Sequence, residues 1–354
     1  VTSSIIAPPE EWYRNLEILF SPNSVAVVGA SRRQGSIGRT ILKNIIDLQF
    51  EGIVYPINPH ADSVYAIKTY PDLKSVPGPI DLVMIVVPHH MVKNVVLEAV
   101  EVGAKAAVII SAGFREVNQE GAELEREIAK IARDANMRLV GPNCMGIIHS
   151  QFPKLNATFA PRPALAGSLG FISQSGALGI IVIDYATQLG LGFSKFISLG
   201  NKADVNATDM IRMFRDDEET EVILAYLESF SDPWNFSEEA TKTSRTKPII
   251  MVKSGRTKAG ARAASSHTGA LATSETALQA SLSKSGVIRA ASVEELFDIA
   301  MAFAKLPLPA GKRVGILTNA GGPGTLTTDD LIGKGMTLAE FSEKTKERLR
   351  SFNP

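Results

Sequence analysis

The chain predicts an α/β fold of parallel sheets covered by helices, on three observations. Short β-branched runs alternate with amphipathic stretches from one end to the other. Each run is nearly continuous in apolar residues, as strands buried on both faces are. Glycine-rich turns follow several runs, where parallel sheets place their ligand sites.

The first block of strands reads SVAVVGA (24–30), GIVYPIN (52–58), DLVMIVVP (81–88), AAVIISAGF (106–114) and RLVGPN (138–143). Helical stretches such as TILKNIIDLQ and GAELEREIAKIARDAN separate them, so a first domain is expected over 15–148. Residues 149–167 break the rhythm with three prolines and read as a connector. A second domain is expected over 168–306. Its strands are SLGFISQ (168–174), FSKFISLG (193–200), EVILAYLE (221–228), PIIMVKSG (248–255) and GVIRA (286–290), and its last helix is SVEELFDIAMAFAKL. A linker, PLPAGK (307–312), leads to a further strand, glycine turn and helix over 313–354. That piece is too short to close a parallel sheet, so a truncation or completion by another chain is expected.

Composition narrows the function. Thirty-seven basic residues balance thirty-seven acidic ones, so the basic excess typical of nucleic-acid or membrane-surface binders is missing. The longest apolar runs fall well short of the roughly 20 residues a bilayer span needs. The N-terminal stretch lacks the charged and apolar regions of a signal peptide. One cysteine, Cys144, rules out an internal disulfide and suits a reducing compartment. A soluble, cytoplasmic protein is expected.

Three glycine turns carry the chemistry. In VAVVGASRRQGSIGRT (25–40), Gly29, Gly35 and Gly38 lead from a strand into a helix, where backbone N–H groups meet an anionic ligand. Their spacing is longer than the dinucleotide fingerprint, and Arg32 and Arg33 lie inside the loop. The second strand ends in YPINPH, with no acid for a ribose 2′-hydroxyl, so coenzyme A suits this turn better than NAD. A purely structural turn is the alternative. The second turn, FISQSGALG (171–179), sets Ser173 and Ser175-Gly176 at a helix start. It could cup a phosphate or carboxylate, or simply be a serine N-cap.

His267 marks the third turn, in KSGRTKAGARAASSHTGALA. Between Lys253 and Gly269 there is no acidic residue, while Lys253, Arg256, Lys258 and Arg262 make the loop attractive to anions. Zinc ligation is disfavoured because no Cys or His stands at ligand spacing, and no metal site is expected in this chain. General base, phosphoryl-accepting nucleophile and solvated surface histidine all remain open on these residues alone.

HTGALA after the KSGRT strand end, GPNCMGI (141–147), FISQSGALG and SVAVVGASRRQGSIGR occur together and in order. In this the chain resembles the CoA-binding, phosphohistidine-bearing subunit of the nucleoside-diphosphate-forming acyl-CoA synthetases, the ADP-forming acetate–CoA ligase group, over residues 15–340. Succinyl-CoA synthetase α subunits are more distant relatives. The resemblance implies a Rossmann-like CoA-binding domain, a flavodoxin-like domain, and the start of a second flavodoxin-like unit. It implies the reaction acyl-CoA + phosphate + ADP ⇌ carboxylate + CoA + ATP, through an acyl phosphate.

By the same resemblance His267 carries the phosphoryl group and Glu228 orients it. Asn143, Ser173, Gln174, Ser175 and Gly176 would hold the phosphate or acyl group. CoA would lie over Gly29, Ser31, Arg32, Gly35 and Ser36, near Asn58 and His60, with Val87, Pro88, Ser111 and Gly113 along it. ADP or ATP and Mg²⁺ would belong to an ATP-grasp β subunit or to absent C-terminal domains, and an oligomer is expected. A non-enzymatic CoA-binding regulator and an NAD(P) oxidoreductase are the other readings.

One position departs from the resemblance. His60 stands where the family usually carries a lysine near a CoA phosphate. A neutral imidazole attracts phosphate less than an ammonium does. Either CoA binding is weakened here or Arg32 and Arg33 compensate, so His60→Lys is expected to bind CoA more tightly, and equal affinity of the two proteins by titration calorimetry would refute this.

Overall fold

The structure is a computed structural model and describes residues 16–255, 257, 260 and 275–352. The chain folds as two units, one ending at Lys305 and the other starting at Leu306.

In the first unit, strands β1 (Ser24–Val28), β2 (Ile53–Ile57), β5 (Leu82–Ile85), β6 (Ala106–Ile109) and β7 (Arg138–Val140) form a wholly parallel sheet in the order β2-β1-β5-β6-β7. A two-residue hairpin, β3 (Ser63–Val64) with β4 (Ile67–Lys68), sits outside that sheet. Helices α1 (Ile37–Asp47), α2 (His89–Glu101) and α3 (Gln119–Asp134) make the crossovers. Alternate strand residues face opposite layers. Val25, Val27, Leu82 and Met84 pack with Ile41, Leu42 and Ile45 of α1, while Ala26, Val28, Val83 and Ile85 pack with Val92, Val95 and Val96 of α2. The chain leaves β1 toward β2 on one side and later returns to β5 on the other. This puts a topological switch point, the usual ligand crevice of such sheets, at the carboxyl ends of β1 and β5.

The second sheet runs β14-β13-β12-β10-β11-β8-β9. Its strands β10 (Ala166–Ser173), β11 (Phe193–Ser198), β12 (Val222–Leu227), β13 (Ile249–Lys253) and β14 (Ile288–Ala290) are parallel. Helices α4 (Gly176–Gln188), α5 (Ala207–Asp216), α6 (Pro233–Thr243), α7 (Glu275–Lys284) and α8 (Val293–Lys305) flank them. Strands β8 (Gly146–His149) and β9 (Leu155–Thr158) add antiparallel to the edge of β11. The segment read as a connector, 149–167, thus carries β9 and the opening of β10. All four β9 residues are buried, and Asn44 of α1 donates to the carbonyls of Thr158 and Ala160 at 2.8 and 2.9 Å.

The two sheets share one core. The cluster over the α1 face of the first sheet continues into Ile172, Ile197 and Ile223 of the second and Phe214 of α5. Its polar stitch is Arg138, fully buried on β7. Its Nε donates to Asp204 Oδ2 at 2.9 Å, and its Nη2 lies 3.5 Å from Asp209 Oδ2. Asp209 also closes the capping box of α5, accepting from the Asn206 N–H.

In the second unit, β15 (Arg313–Val314) pairs parallel with β16 (Thr337–Leu338), with α9 (Gly321–Gly333) between them and α10 (Glu343–Phe352) after. This is the expected strand, glycine turn and helix. Among the described residues no helix is long and apolar enough to cross a membrane.

Candidate functional site

The carboxyl ends of both sheets open on one cleft of about 710 Å³. The first sheet contributes Val87, Pro88 and Ser111, and the loop after β7 contributes Asn143. The second contributes Gln174, Ser175, Gly176 and Glu228. Residues predicted from separate motifs therefore converge on a single cavity.

The glycine turn after β1 is shaped by close backbone approach. Gly29 has φ +96°, and a Cβ there would stand 2.3 Å from the carbonyl oxygen of Val86, beyond β5. A Cβ on Gly38 would stand 2.2 Å from the Gly29 oxygen. These two glycines thus let β1, β5 and α1 close up. Gly35, at φ +73°, faces open space.

The loop braces itself. Ser31 Oγ accepts from Arg33 N–H at 3.1 Å, and Ser36 Oγ donates to the Arg33 carbonyl at 2.9 Å. Ser36 therefore does not cap α1 with its side chain, which leaves the helix N–H groups open to an anion. Arg32 is exposed, with its Nε bound to the Ser63 carbonyl at 2.8 Å. Arg33 is exposed beside it. Asn58 ties the end of β2 into the same loop, donating to the Ala30 carbonyl at 2.6 Å and accepting from His60 N–H at 2.8 Å. The His60 residue itself is exposed.

Beyond β6, Ser111 donates to the Val87 carbonyl, holding two cleft-lining turns together. Gly113, at φ +112°, leaves room for the His89 ring, 2.9 Å from where its Cβ would be. Asn143 is left-handed at φ +59°, and its N–H donates to Ser111 O at 2.9 Å. Cys144 beside it stays a thiol: burial pushes it up to about 12, and its S–H donates to the Ile109 carbonyl at 3.3 Å.

On the second sheet, Ser175 caps α4 by accepting from Leu178 N–H at 3.3 Å. Ser173 is fully buried and donates to the Ser175 carbonyl at 2.7 Å, so it shapes the turn from below rather than lining the cleft. Gln174 Oε1 accepts from the N–H groups of Glu228 and Ser229 at 2.9 and 3.0 Å, fixing the end of β12 against the end of β10. His267, with Arg256, Lys258 and Arg262, lies outside the described residues.

Sequence reading missed the turn after β11. Asn201 lines the cleft, and its amide donates to Glu116 Oε2 at 2.6 Å and Glu125 Oε2 at 2.8 Å. Burial works to raise the Glu116 carboxyl. Hydrogen bonds from Asn201 and from the backbone at Gly113 and Phe114 outweigh it and hold the group below the usual carboxylate range. Glu125, more deeply placed, is pushed up by burial. Lys202 follows, buried at 8% exposure. The signal that could have found these residues is positional: GNKADVN follows a parallel strand just as the predicted turns do.

The two halves match distinct family models. Residues 23–150 match the CoA binding domain and residues 166–303 the succinyl-CoA ligase like flavodoxin domain, and the two define a CoA-ligase class of enzyme. Over 339 residues the chain is 44% identical to the α subunit of acetate–CoA ligase [ADP-forming] II of Pyrococcus furiosus, covering 96% of this chain and 73% of that one. It is 43% identical over 345 residues to the acetate–CoA ligase [ADP-forming] of Methanocaldococcus jannaschii, covering 97% of this chain and 48% of the relative. Among solved structures, the acetyl-coenzyme A synthetase 1 of Ca. Korarchaeum cryptofilum with phosphate and ADP superposes with a TM-score of 0.92 at 41% identity. That match covers 96% of this chain and 73% of the other. The chain belongs to the family of ADP-forming acetate–CoA ligases, corresponding to their α part.

Proposed function

We propose that this chain performs the CoA-binding and phosphoryl-accepting half of an ADP-forming acyl-CoA synthetase. The observation that carries this reading is the convergence on one cleft of Val87, Pro88 and Ser111 from the CoA-domain sheet with Asn143, Gln174, Ser175, Gly176 and Glu228. CoA fits the first turn: the uncapped α1 N-terminus, the open space above Gly35 and the exposed Arg33 offer donors and charge to its phosphates. Gly29, Ser31, Arg32, Ser36, Asn58 and His60 shape or border that turn, with Gly113 farther along.

Phosphate, seated at the α4 N-terminus, attacks the thioester carbonyl; the C–S bond breaks and CoA leaves as its thiol. The acyl phosphate then passes its phosphoryl group to a ring nitrogen of His267 and releases the carboxylate. The phosphohistidine finally gives the group to ADP. On this reading ADP and Mg²⁺ are held by an ATP-grasp β subunit or domain, and the working enzyme is an assembly of both parts. The carboxylate of Glu228, at the cleft wall, orients the imidazole. Which acid is used rests on pocket shape, where one methylene changes binding by only about 1–3 kcal/mol.

Incubation with ³²P-labelled acetyl phosphate is expected to place an acid-labile label on the chain, absent in His267→Asn. Equal labelling of the variant would overturn the proposal.

A further inference from the structure

The turn 200–202 follows β11 and lies against the turn that starts α4. Lys202 is left-handed at φ 60°, an uncommon conformation for a residue other than glycine. Its ammonium is aimed inward, where Nζ donates to Gln174 Oε1 at 3.1 Å, the Ser229 carbonyl at 2.6 Å and Ser229 Oγ at 2.9 Å. All three acceptors are neutral, and no ion pair is made to it among the described residues. A buried cation with no directly bonded counter-ion is disfavoured, and the opposite charge that acts on this one, Glu228, attracts it from the cleft wall without a direct ion pair among the described residues. Gln174 and Glu228, which its network joins, both line the cleft.

We propose that Lys202 is a positioning residue that serves as a reserve counter-charge. It anchors Gln174 in the free protein, and it becomes the ammonium partner of a tetrahedral dianion when one seats at the Gln174–Ser175–Gly176 turn. This rests on the reading of that turn as an anion seat. The groups that act on Lys202 agree with the role. Burial and repulsion from Arg115 lower it, Glu228 attracts and raises it, and Lys253 lowers it, which leaves the amine at about 7. Above that pH the free amine is largely neutral. An arriving dianion then favours the charged form, so binding takes up a proton. Below it the ammonium is already present and no uptake is needed. Anion affinity therefore declines as pH rises through this range.

The test uses sulfate, a tetrahedral dianion that does not itself titrate near neutrality, on the 354-residue chain. Titration calorimetry at about pH 8 in buffers of low and high ionisation enthalpy is expected to show uptake approaching one proton per sulfate, vanishing near pH 6. Lys202→Arg keeps a permanent charge, so uptake should disappear and affinity stay level across the range. Lys202→Met should bind sulfate roughly tenfold or more weakly, the effect of losing a charge-assisted partner. Wild-type sulfate binding without buffer dependence, uptake that persists in Lys202→Arg, or no sulfate binding at all would each overturn the assignment. Normal proton uptake without histidine labelling would remove the acyl-transfer reading and leave this one standing. Normal labelling without uptake does the reverse.

Discussion

Arg138→Met is expected to destabilise the chain by about 3–5 kcal/mol, the usual consequence of removing one partner from a buried ion pair. The guanidinium is wholly enclosed, and it serves Asp204 and Asp209 together, whose side chains are 4% and 16% exposed. Methionine fills much of the volume but leaves two carboxylates without a cation. Asp204 Oδ2 would keep the Leu139 N–H at 2.9 Å and Asp209 Oδ2 the Asn206 N–H at 3.0 Å, too little to offset the loss. The defect also carries a pH signature. Burial already pushes Asp209 up, against the attraction of Arg138. Without the guanidinium its carboxyl rises further above its unfolded value. Its share of the penalty is then full above the folded-state pKa, shrinks as pH falls through that value, and is gone once pH is below the unfolded one. Urea midpoints for variant and parent should draw together on acidification toward about pH 4. A constant gap, or no loss at neutrality, would show that the triad is not what joins β7 to the α5 region.

That triad lies where sequence reading was blind, and the reason is general. The parallel strands were legible because burial on both faces makes each an unbroken apolar run, such as LVMI at 82–85 and VILAYL at 222–227. Strand β9 reads LNAT between prolines. It is a strand only because β8 and α1 receive it, a fact held in residues far along the chain. The β3–β4 hairpin is two residues a side, below any periodic signal. The cleft divides the same way. Gly29, Ser175 and Glu228 stand at strand ends marked by glycine or by the close of an apolar run. Asn201 and Lys202 look like an exposed polar turn, and their burial follows from contacts with Glu125 and Gln174, 76 and 28 residues away. Ser173, which the resemblance implies holds phosphate, uses its hydroxyl proton on the Ser175 carbonyl, a bond that depends on the fold of the turn. The acid-free end of β2, which argued against NAD, has a structural counterpart: the Asn58 side chain is engaged with Ala30 and His60.

Glu228→Gln should separate anion binding from phosphoryl transfer. The substitution keeps size and shape, and the bond that fixes this strand end, from the Glu228 N–H to Gln174 Oε1, uses backbone on one side and Gln174 on the other. The fold should therefore survive unchanged. What disappears is a negative charge on the cleft wall. If the carboxylate orients an imidazole nucleophile and stabilises the charge it gains, labelling from acetyl phosphate should slow by about a hundredfold or more, the scale on which such orienting groups act. Anion binding should move the other way or stay level, because the cleft loses a repelling charge. Glu228 also attracts the Lys202 ammonium. Without it the Lys202 amine falls lower, and proton uptake on sulfate binding should begin at a more acid pH. Slow labelling with intact sulfate binding and a displaced uptake profile is a pattern that a merely misfolded variant does not produce. Labelling within a few-fold of the parent would remove Glu228 from the transfer step and leave it as a contributor to the potential around Lys202.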